Sequence, residues 1–188
     1  MNRKPHLHWI PLMGLIAIAG TLEARQLARD GQPTAEILIA TNAQTTEIYA
    51  ANELQHWLEK VSGARLPIVT RPGKPAPATR LVIGGGLAGD FAADLKALAG
   101  RDGYAIREKT ASNEIFIFGA IPRGTLNGVY AFIEANTDLI WPRPDPAVGA
   151  VYSVNPNLAV SVADRIDIPK STLRGWGWTV SGFKHEPA

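Results

Sequence analysis

Short apolar runs, set apart by two helical stretches and by glycine or proline turns, constrain what this chain can fold into. Residues 35–40, 66–69, 81–83, 103–108 and 114–118 have the length and the branched or aromatic content of strands. Between the first two lies a stretch with Ile48, Ala51, Leu54, Leu58 and Val61 at helical spacing; Thr45 or Thr46 is placed to cap it, and Ser62-Gly63 to stop it. After residues 122–125, Leu126, Val129, Tyr130 and Ile133 mark a second amphipathic helix. A shorter helix is expected over residues 91–98. Residues 103–108 and 114–118, joined by a short polar turn, read as a hairpin. Further strands are expected at 139–141, 151–154 and 158–162, and the proline-rich 71–78 as a surface loop. The order β-α-β-β-α-β-β-α-β predicts an α+β fold: a two-layer sandwich of a mixed sheet with helices packed on it.

With 188 residues and 46% hydrophobic content, the chain can bury one core of ordinary domain size. Its formal charge of +2 is scattered and forms no basic stripe, so nucleic acid is not an expected partner. It has no cysteine, which removes disulfides, thiolate metal sites and a cysteine nucleophile. The first 24 residues are laid out as a secretory signal: Arg3 and Lys4, then an apolar run from Trp9 to Ala19, then small residues. That run is shorter than the ~20 residues of a membrane-spanning helix, so cleavage after Ala19 or Ala24 is expected rather than a stable membrane anchor. The protein is then periplasmic or secreted.

Gly84-Gly85-Gly86-Leu87-Ala88-Gly89 satisfies the dinucleotide pattern G-x-G-x-x-G, with a strand before it, a short helix after it and an acid closing the next strand. The wider order argues against a nucleotide. Such a fingerprint sits on a first strand, whereas strands and a long helix precede this one, and Asp90 would place a negative charge beside a bound phosphate. The expected role is a glycine turn leaving a strand, and no cofactor is expected. Residues 123–128, Arg-Gly-Thr-Leu-Asn-Gly, lack the Gly-Lys-Ser/Thr ending of a phosphate loop, so their glycines are expected to let a helix pack closely on the hairpin. No histidine pair has metal-ligand spacing outside the signal. Glu47, Glu53, Glu59, Asp94, Asp102 and Glu134 fall mostly on helix faces or turns, where solvated charge is the simple expectation. Trp57 and Trp141 are expected in packing, though an aromatic face can also stack on a sugar.

One ordered set of segments resembles a known family. It runs from Ala50-Ala51-Asn52-Glu53-Leu54 through Val61-Ser62-Gly63, Leu66-Pro67-Ile68 and Leu81-Val82-Ile83-Gly84 to Asp102-Gly103-Tyr104-Ala105-Ile106. Ile115 to Gly119, Arg123 to Glu134 and Trp141-Pro142 complete it. Over residues 34–144 the chain resembles the N-terminal domain of secreted α-glucuronidase-like glycoside hydrolases, itself similar to the non-catalytic domain preceding the barrel of β-hexosaminidases. The resemblance implies a non-catalytic sandwich packed against a (β/α)8 barrel that carries the catalytic acids, in polysaccharide breakdown. Residues 145–188 then correspond to a linker and the start of that barrel, in which Arg174, Trp176 and Trp178 are the implied carbohydrate contacts. A whole barrel needs about 250 residues, so this stretch of chain is expected to be non-catalytic alone. The alternative is a free-standing module that binds uronic-acid-containing oligosaccharides through Arg123, Arg143 and Arg174.

Overall fold

The computed structural model describes residues 24–145, 149–161 and 164–170. Expectations placed on residues 1–23, and on Arg174, Trp176 and Trp178, lie outside them. Two short strands, β1 (Arg25–Gln26) and β2 (Ala28–Arg29), open the fold. β2 turns through Asp30-Gly31, both at positive φ, into β3 (Gln32–Pro33). There follow β4 (Ala35–Ile39), α1 (Thr45–Ser62), β5 (Ile68–Val69) and β6 (Thr79–Ile83). The glycine-rich stretch makes two 3-10 turns, Gly85–Leu87 and Gly89–Phe91, before the six-residue α2 (Ala92–Ala97). A hairpin of β7 (Tyr104–Lys109) and β8 (Glu114–Phe118) leads to α3 (Pro122–Asn136). β9 (Ala159–Val160) pairs back to β1, and β10 (Arg165–Asp167) pairs with β7.

The main sheet is mixed, in the order β10-β7-β8-β6-β4-β5. β5, β4, β6 and β8 run parallel, while β7 and β10 are antiparallel to their neighbours. Parallel central strands are covered on both faces and therefore read as continuous apolar runs. Ile37, Ile39, Leu81, Ile83, Ile115 and Ile117 meet α1 and α3 on one face. Leu38, Val82, Phe116 and Phe118 point to the other, under Phe91, Leu95 and Leu98. This is the α+β sandwich expected from the element order, with the two long helices as one layer and the shorter 85–98 segment lying on the opposite face.

Four local expectations change. The N-cap of α1 is Gln44 rather than Thr45 or Thr46. Ile48 is exposed, because it lies in the first turn and outside the buried cluster. The expected helix over 91–98 shortens to α2, since Gly89 to Phe91 wind as a 3-10 turn. Residues 139–141 and 151–154 form a single antiparallel bridge, Ile140 with Val151, instead of two strands. Trp141, next to the bridge, packs on the helical cluster instead.

Gly124 and Gly128 behave as expected for close packing. A Cβ on Gly124 would lie 2.1 Å from the Gly103 carbonyl oxygen, and one on Gly128 would lie 3.0 Å from Tyr104 Cβ. Both steric partners belong to the hairpin side of the sheet, so α3 sits on it at a separation that only glycine permits.

Candidate functional site

At the carboxyl ends of β4, β6 and β8 the chain forms a cleft of about 460 Å3. Asn42 and Gln44 follow β4, Gly85 and Gly86 follow β6, and Gly119 to Pro122 follow β8. The connection from β4 enters α1 on one face of the sheet, whereas the connection from β6 passes to α2 on the other. Such a divergence between neighbouring parallel strands is where open α/β sheets hold their ligands.

The glycine turn lies in this crevice, but its anion position is already filled. The Glu47 carboxylate accepts the Gly85 N–H at 3.2 Å and the Gln44 N–H at 3.0 Å, and Glu47 is only 8% exposed. Gly84 has φ +109, and a Cβ there would lie 2.6 Å from Glu47 Oε1. The turn therefore uses its glycine to admit an internal carboxylate, and a phosphate entering the crevice would meet that negative charge in a low-dielectric setting. The expectation that Glu47 is a solvated helix charge is corrected: it is the N3 acid of a capping box and accepts the N–H of the N-cap, Gln44. The spacing Gln44-x-x-Glu47 was the available signal.

Several other partly or fully buried acids are held in ion pairs. Arg80 donates to Glu36 at 2.6 Å and to Glu114 at 2.9 Å, tying three neighbouring strands, and Glu36 also accepts the Gly73 N–H. Burial opposes the Arg80 charge, but the two carboxylates outweigh it and raise its pKa. Arg107 grips Asp94 through two N–H bonds, and Arg25 pairs with Glu108.

A second cluster lies on the outer side of α1 and α3. Trp141 meets Trp57 and Tyr130 edge-on, with centroids 5.4 and 5.5 Å away, and His56 meets Trp57 at 4.9 Å. Glu53 accepts from Trp57 Nε1 at 3.1 Å and from the Tyr130 hydroxyl at 2.8 Å. Burial, then Glu53, drives the Tyr130 pKa far above that of an ordinary phenol. Trp57 and Trp141 thus sit in packing as expected, against each other, and Glu53 holds Trp57 and Tyr130. Arg123 and Arg143 are both exposed, one in the first turn of α3 and one just beyond Trp141.

No family model matches the chain, and no curated protein matches it. Among solved structures it is similar to a GH138 enzyme targeting pectin rhamnogalacturonan II, at 10% identity and TM-score 0.37, over 53% of this chain and 13% of that one. It is also similar to a chitobiase of Flavobacterium johnsoniae, at 15% identity and TM-score 0.45, over 80% of this chain and 19% of that one. Both are glycoside hydrolases, and the chain spans under a fifth of either.

Proposed function

We propose that this chain is the non-catalytic accessory domain of an exported α-glucuronidase-like glycoside hydrolase, packed against a (β/α)8 barrel that carries the catalytic acids and contacts the uronic-acid-containing glycan. The observation that carries the reading is apolar surface in the segment that follows the sandwich. Ile140 and Val151, bridge partners, are each 56% exposed, and Val154 is 71% exposed. Ile166, on the edge strand β10, and Ile168 just after it are also exposed. Large apolar side chains left exposed outside a closed core are what a packing partner can cover. The ordered resemblance over residues 34–144 supports the same reading, as does the engagement of Glu36, Glu47, Glu53, Asp94, Glu108 and Glu114 in structural pairs.

The intact mass of the native product, recovered from the extracytoplasmic fraction of its source cells, tests this directly. The expected result is a mass far above the 20.2 kDa of this chain, with an N-terminus at Gly20 or Arg25 and uronic acid released from acidic oligosaccharides. A product at or just below 20.2 kDa, or one retained with residues 1–24 in the cytoplasm, overturns it.

A further inference from the structure

The crevice between β4 and β6 has properties that the packing role does not use. Its volume of about 460 Å3 falls within the ~300–1,000 Å3 of small-molecule sites. Its one buried charge is Glu47, whose two oxygens each accept one backbone N–H in the capping arrangement. A carboxylate has about four acceptor positions, so about two remain on a group that lines the cleft. A ligand seated there has to donate hydrogen bonds.

Charge narrows the class. An anionic ligand meets Glu47 as a like charge. A cationic one meets the starts of α1 and α3, both at the cleft, whose positive dipole ends already balance that carboxylate. A neutral polyol suits both: its hydroxyls donate to Glu47 and exchange hydrogen bonds with the Asn42 and Gln44 amides at the exposed rim. Leu95 and Ile121 offer apolar contact to the C–H face of a ring. The geometry points to this crevice as a binding site for a neutral sugar ring, whether or not a barrel follows.

Gly86 makes the test clean. A Cβ added to it meets nothing within 4 Å, and Gly86 lines the cleft, so Gly86→Leu fills the crevice without disturbing the fold. Gly89 is equally open and does not line it, so Gly89→Leu is the matched control. Amide NMR spectra of the full chain would be titrated with glucose and xylose, and separately with glucuronate and inorganic phosphate. Saturable shifts at Gly85, Gly86 and Gly119 are expected with the neutral sugars and not with the anions. Gly86→Leu should weaken the titration by about tenfold or more, and Gly89→Leu should leave it unchanged. The site is overturned if neither sugar shifts those amides, if glucuronate or phosphate shifts them as strongly, or if the response survives in Gly86→Leu. None of these results bears on the product's mass, so the site and the accessory role stand or fall separately.

Discussion

Two carboxylates show how much one side chain can decide in this fold. Glu47 caps α1 and at the same time fills the anion position of the Gly84 to Gly89 turn. Glu47→Ala removes the acid that holds the N-cap N–H and should cost up to about 0.5–2 kcal/mol, the range of a lost cap, read as a shift in the denaturant midpoint at unchanged slope. Wild-type protein titrated with NAD or ATP should show no binding heat. Heat with either would mean that the carboxylate does not block the turn. Glu36 sits in an apolar strand because Arg80 reaches it. Arg80→Met leaves Glu36 buried and unpaired beside Glu114, and should cost about 3–5 kcal/mol in urea unfolding. The capping spacing at 44 and 47 was visible in the chain as written. That the same carboxylate also meets Gly85, far along the sequence, was not, because nothing local encodes a contact across two strands.

Among the elements, α3 depends most on an exact fit. Its glycines at 124 and 128 lie against backbone and side-chain atoms of the hairpin side. Gly124→Ala should therefore cost about 1–3 kcal/mol or more, whereas Gly89→Ala, facing open space, should be near neutral; equal effects would refute the close-packing account. The segment after α3 is held differently, by Asp138 accepting the Ser153 N–H at 2.9 and 3.1 Å. The Ser153 side chain and its backbone N–H both lower the Asp138 pKa below the usual carboxylate value. Because the folded pKa is depressed, the contact is fully present above the unfolded value and is lost as pH falls through the folded one. The Ser153 amide resonance should thus titrate with a midpoint below the ordinary aspartate range of about 3.9. A midpoint at or above that range would show the contact to be absent in solution. α1, β4, β6, the hairpin and α3 were all legible from periodicity. The β2–β3 hairpin was not identified, although Asp30-Gly31 is a strong two-residue turn signal. Its flanks, Ala28-Arg29 and Gln32-Pro33, carry no apolar alternation to mark strands.

For the molecule as a whole, apolar periodicity and glycine or proline punctuation were enough to mark β4, α1, β5, β6, α2, the β7–β8 hairpin and α3 in order, and a mixed sheet under helices, since each depends on neighbours within a few residues. The order β10-β7-β8-β6-β4-β5 was beyond that reach. Strand order, and the placing of residues 165–167 as a sixth strand on β7, follow from which faces can be buried together, and that is settled only when α1 and α3 pack on one side and the 85–98 segment on the other. The crevice exists for the same reason. Its residues come from three strand ends, two helix starts and Leu95 of α2, which only the tertiary structure brings together. The glycines announced a tight turn in sequence. What the turn accommodates, an internal carboxylate rather than a phosphate, depended on β6 pairing beside β4, which sets the first turn of α1 and its Glu47 against Gly85, because burial of charge is decided by partners distant along the chain.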